Sequence, residues 1–109
     1  MKAIAVPNFG GPEVLRIEKA PLPQIPPDDL LVRVYAAGVN RADLTFRKGG
    51  CGRVNFGDSE TIGLEVAAEV EAVGVHAAKS FKLGDRVMGI VGGGGYAEFA
   101  RLNPLRKKA

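Results

Sequence analysis

The chain has 109 residues, 46% hydrophobic and 25% charged, with a net charge of +3; this is the profile of one soluble globular domain with a modest core. One cysteine excludes an internal disulfide, and with a single histidine the chain is expected to hold no metal. No apolar run approaches the roughly 18 residues of a membrane span, and the first residues lack the layout of a signal peptide, so the cytoplasm is the default location.

Fifteen glycines and seven prolines favour many turns and short strands. Lys2 to Val6 reads as a first strand, Asn8 to Pro12 as a turn, and Val14 to Glu18 as a second strand. Pro21 to Pro27 holds four prolines and reads as an extended connection, since proline has no N–H for a ladder. Leu30 to Val39 alternates strongly and predicts a strand. Asn40 can cap a short helix over Arg41 to Lys48, which Gly49-Gly50 stops. Gly49 to Glu60 predicts the most mobile internal loop. Leu64 to Val73 predicts a long half-buried strand, Ala77 to Phe81 a connection, and Lys82 to Asp85 a turn. Arg86 to Val91 and Tyr96 to Leu102 predict the last strands, with four glycines as a flexible turn between them. Many short strands at close spacing point to a small β-barrel.

Most chemical motifs have a plainer reading. Gly92 to Ala97 matches a dinucleotide-binding pattern in letters only, because a strand rather than a helix follows. Arg101, Arg106, Lys107 and Lys108 read as a solvated basic tail, with no nucleic-acid partner. Cys51 has nothing basic arranged to activate it, and His76 reads as a solvated turn residue. Asn40, Arg41 and Asp43 sit at a strand-to-helix corner; they either face a cleft or cap the helix, and physical chemistry alone favours capping. Glu65 reads equally well as a buried carboxylate or a solvent-facing strand residue.

Five blocks then occur in one order: Phe9 to Leu15, Ala36 to Leu44, Gly63 to Ala67 with Val70 and Val73-Gly74, Phe81 to Val87, and Gly93 to Phe99. Together they resemble the zeta-crystallin-like, zinc-free quinone oxidoreductases of the medium-chain dehydrogenase/reductase superfamily. The resemblance covers residues 1–102 and leaves 103–109 as a basic tail. It implies a mainly β, GroES-like small barrel with one or two short helices. In zinc-dependent relatives a cysteine stands at the place of Asn40 and a histidine at the place of Leu64, so the resemblance too implies no metal. It implies hydride transfer from NADPH to a quinone or an activated alkene or carbonyl. Asn40 and Asp43 would be the catalytic corner, with Arg41, Phe46 and Tyr96 facing substrate or cofactor. The segment Gly49 to Glu60 departs from the family's proline- and tyrosine-containing loop, with Phe56 its only aromatic.

The family's Rossmann domain has no counterpart in these 109 residues. The chain alone is therefore expected to supply cleft residues without binding NADPH or catalysing hydride transfer. Phe46 and Tyr96 are expected to form an exposed apolar surface that recruits a Rossmann-domain partner or a second copy. The alternative is a stand-alone interaction module that binds a protein partner.

Overall fold

The computed structural model describes residues 1–49 and 61–104. The expected loop mobility, Cys51, Phe56 and the basic side chains of Arg106, Lys107 and Lys108 lie outside the described residues.

The N-terminal hairpin pairs β1 (Lys2–Ala5) with β2 (Arg16–Lys19), with Ile4 opposite Ile17. Both strands are shorter than the alternation predicts. Val6 precedes Pro7 and leaves the ladder, and Val14 closes a 3-10 turn that Pro12 opens. The main sheet contains β3 (Leu30–Ala37), β4 (Glu65–Val73), β5 (Arg86–Ile90) and β6 (Phe99–Leu102). Its order is β5-β4-β3-β6, all antiparallel. Three successive strands lie side by side and the fourth returns beside the first, a Greek-key arrangement.

The chain is mainly β, as the sequence implies. Among the described residues the main sheet keeps β5 and β6 as its edges, and residues 96–98 link it to the hairpin rather than closing it on itself. The core lies on one face of this sheet. Leu30, Val32, Val66, Val70 and Leu102 are almost fully buried there. They alternate with exposed Arg33, Tyr35, Glu65 and Ala67, as the period of two requires.

Three local expectations change. The glycine run is no free turn: Gly92 to Gly95 are all buried. Gly94 N–H donates to Thr61 O (2.7 Å) and Gly95 N–H to Gly63 O (2.9 Å), which continues the β4–β5 pairing. The last strand begins at Phe99 rather than Tyr96. Residues 96–98 turn to β1 instead, with Ile4 N–H donating to Tyr96 O (2.8 Å) and Glu98 N–H to Lys2 O (3.1 Å), and so join the two sheets. Arg101 leaves the basic tail altogether, because its Nε lies 3.1 Å from Oδ2 of the buried Asp29. His76 is exposed as expected, and its Nδ1 also meets Asp28 Oδ1 at 2.8 Å.

Candidate functional site

The corner after β3 is shaped by backbone first. Gly38 N–H donates to Glu65 O (2.9 Å), which ends the β3–β4 ladder. Asn40 is extended (φ −120°, ψ 157°), and the helix α1 (Arg41–Lys48) starts at the next residue. Asn40 and Asp43 form a capping box, in which Asn40 N–H donates to Asp43 Oδ2 (2.9 Å). Gly49 closes α1 in the left-handed region (φ 76°), where only glycine is at ease.

Asp43 does more than cap. It is 4% exposed, and two further donors reach its carboxylate. Gly63 N–H donates to Oδ1 (3.2 Å), and the Tyr96 hydroxyl donates to Oδ2 (2.8 Å). The carboxylate thus ties α1 to the segment before β4 and to the end of the glycine run. The Tyr96 oxygen also lies 3.1 Å from Gly38 O. Burial, the hydrogen bond to Asp43 and its negative charge hold the Tyr96 phenol well above its ordinary range, so it remains a proton donor.

The Asn40 side chain also reaches Glu65. Its Nδ2 donates to Glu65 Oε1 (3.4 Å), and Glu65 is exposed. The open question about Glu65 is thereby settled: it is a solvent-facing strand residue that borders the corner. It packs so closely on Gly38 that a Cβ there would strike its carboxylate. Arg41 is exposed at the first helical position, and no partner for its guanidinium is found among the described residues. A cation at a helix N-terminus is electrostatically unfavourable. Helix stability therefore does not account for Arg41.

Of the five site residues read from the sequence, the fold brings together Asn40, Asp43 and Tyr96, with Arg41 at the rim. Phe46 sits apart. It is 8% exposed, and Phe9 covers it edge-on, with ring centroids 6.3 Å apart and planes at 86°. The expectation of an exposed Phe46 is corrected: the turn after β1 docks on α1, with Gly10 N–H donating to Arg47 O (2.9 Å) and Arg47 Nε to Gly10 O (3.1 Å). Tyr96 is half-buried with its hydroxyl committed. The apolar surface at the corner comes from Val39 and Leu44, which are 78% and 43% exposed. Sequence reasoning missed both. Val39 lies two residues past the end of β3, beyond the strand's buried alternation.

A cavity of about 480 Å³ opens elsewhere, lined in part by Leu22, Gln24, Thr61, Gly94 and Arg101. None of the five site residues borders it. No group of three or more His, Cys, Asp or Glu side chains placed to hold a metal occurs among the described residues. A dinucleotide needs free N–H groups at a helix N-terminus for its pyrophosphate. Here the N-terminus of α1 faces the Asp43 carboxylate, and the N–H groups of Gly94 and Gly95 are spent on Thr61 and Gly63. The described residues do not fit a nicotinamide dinucleotide by themselves.

Comparison with known proteins places this geometry in context. Residues 26–106 match the family described as alcohol dehydrogenase GroES-like domain. A quinone oxidoreductase from Sus scrofa is 45% identical over 102 residues, which span 92% of this chain and 30% of that protein. The chain therefore spans about a third or less of the curated relatives it matches. The structure of a quinone oxidoreductase from Coxiella burnetii superposes with a TM-score of 0.86 at 31% identity, covering 95% of this chain and 35% of that one. A mycobacterial protein solved in complex with NADPH superposes at 0.83 with 40% identity, covering 97% of this chain and 32% of its own.

Proposed function

We propose a function from one premise: the chain belongs to the alcohol dehydrogenase GroES-like domain family. It supplies the substrate-side domain, residues 1–102, of a zinc-free, NADPH-dependent reductase of quinones or similar electron-poor acceptors. The observation that carries this reading is the corner itself. An asparagine carboxamide stands at the rim with the Arg41 guanidinium, for which no partner is found among the described residues, beside a buried carboxylate that three donors hold. Asn40 presents a polar side chain that can orient a carbonyl or carboxamide, and Arg41 adds positive charge where an acceptor gains electron density. Asp43 supports that corner from below. Val39 and Leu44 offer apolar surface for a flat ligand ring.

NADPH, when held beside this corner by a Rossmann domain, would supply the hydride. The chain's own residues bind and orient the acceptor, and the corner is where such a domain would dock. The similarity to quinone oxidoreductases from Sus scrofa and Coxiella burnetii supports the substrate class, and the mycobacterial NADPH complex supports the cofactor.

The test is complementation. The chain is mixed with the remaining domain of the Sus scrofa relative, and NADPH-dependent quinone reduction is followed. Restored turnover that falls by about tenfold or more with Asn40→Ala is expected. A stable complex that reduces quinone equally well with Asn40→Ala would remove Asn40 from the site. A chain that instead binds an unrelated protein and never complements would favour the interaction module.

A further inference from the structure

Asn40 lies between two residues that the same hydroxyl touches. The Tyr96 oxygen is 3.1 Å from Gly38 O, two residues before Asn40, and 2.8 Å from Asp43 Oδ2, three residues after it. That same Oδ2 holds the backbone N–H of Asn40 at 2.9 Å. We propose that Tyr96 is a positioning residue: its hydroxyl spans the corner from Gly38 to Asp43 and so fixes the direction in which Asn40 presents its carboxamide. This rests on the reading above that the corner faces acceptor and cofactor, and it gives Tyr96 a different part from lining the cleft.

The geometry decides where the phenol's one proton goes. The carboxylate oxygen is the nearer acceptor and carries charge, which makes that bond the stronger. Burial and the Asp43 charge keep the proton on the phenol, so the clamp persists throughout the neutral range. The backbone adds stiffness behind the hydroxyl. Tyr96 N–H donates to Ile62 O (3.0 Å), and the ideal Cβ position at Gly63 lies 2.5 Å from Tyr96 N, so the ring springs from a segment with no room to shift. Among the described residues the Asn40 side chain has the capping-box contact from the Asp43 N–H and the long 3.4 Å contact to exposed Glu65. Its orientation therefore depends on how firmly Asp43 and the backbone around it are held.

Tyr96→Phe keeps the ring and removes only the clamp. In the 109-residue chain, nuclear magnetic resonance reads the Asn40 side-chain amide and the hydrogen exchange of backbone amides. The expected result is a shifted Asn40 side-chain signal and about tenfold faster exchange at the Asn40 N–H, with Val66 and Val70 in β4 unchanged. Identical Asn40 signals in both proteins would overturn the proposal. Should Tyr96→Phe fail to fold, Asp43→Asn and an alkaline absorbance titration serve instead. In the parent the Tyr96 phenol ionises above the ordinary tyrosine range, because burial, the hydrogen bond to Asp43 and its charge hold the proton. In Asp43→Asn the Tyr96 ionisation should move to lower pH. An unmoved Tyr96 ionisation would show that the Asp43 contact is not made.

Turnover in the complemented enzyme separates this proposal from the one beneath it. Tyr96→Phe should lower kcat about tenfold with little change in KM, because it loosens an aligned group and removes no contact with substrate. If Tyr96→Phe frees Asn40 but Asn40→Ala leaves turnover intact, the clamp is real and the cleft reading fails. If Asn40→Ala abolishes turnover while Tyr96→Phe leaves the Asn40 signals untouched, the cleft reading stands and the clamp fails.

Discussion

Asp43 shows how one side chain takes on several tasks. A buried carboxylate is costly unless its oxygens are matched by donors, and here three donors from three segments converge on it. Asp43→Ala strands all three, so we expect it to destabilise the chain by about 3 kcal/mol in urea unfolding. A loss below about 1 kcal/mol would show that the donors find water or other partners. Tyr96 adds a pH dependence with a definite sign. Its folded pKa is raised above the ordinary 10.0. Below 10.0 both states keep the proton and its contribution is fully present. Above that value the unfolded chain sheds the proton while the folded chain retains it, so stability falls as pH rises, until the folded phenol ionises too. Urea midpoints taken in steps above that pH should fall, and the fall should be shallower for Tyr96→Phe. Equal slopes in both proteins would contradict the raised value. Half of this site was legible. The spacing of Asn40 and Asp43 announces a capping box, whereas the 53 residues between Asp43 and Tyr96 carry no local signal of their contact.

Among the elements, α1 was legible to the residue because both its ends are chemically marked. Asn40 and Asp43 set the start and Gly49 the stop. β4 was nearly as clear, since a nine-residue alternation leaves one register that buries Val66, Ala68 and Val70. The glycine run reads as loose in the sequence because glycine signals freedom when seen alone. Its actual role is close approach: the backbones of Gly63 and Gly95 lie where side chains would collide. Gly63→Ala therefore faces both a positive φ of 105° and a clash with Tyr96 N, and we expect a loss of about 3 kcal/mol or failure to fold, read by thermal melting. A melt close to the parent's would mean that residues 61–64 and 91–96 are not paired as described. The burial of Phe46 is hidden from the sequence for a related reason. A helix face open in the sequence is closed in the fold by Phe9, which only tertiary docking reveals. Phe46→Ala should cost about 3 kcal/mol in urea unfolding, far more than an exposed ring would lose. A cost within about 0.5 kcal/mol would return Phe46 to the surface.

At the scale of the whole molecule, a Greek-key sheet and a hairpin hold one polar corner in place. The family was legible because five blocks keep their order along the chain, and the family match over residues 26–106 bears that out. Which strands stay at the edges of the sheet is not legible, because strand periodicity reports which face is buried and not which edges meet. The central claim is that the Asn40 corner meets the nicotinamide of a bound cofactor. The most direct measurement replaces the matching 30% of the Sus scrofa quinone oxidoreductase with this chain and determines the crystal structure of the chimera with NADPH. The account expects the Asn40 side chain within about 4 Å of the nicotinamide or of an acceptor stacked on it. A bound nicotinamide that lies against another surface, with Asn40 facing open solvent, would contradict it.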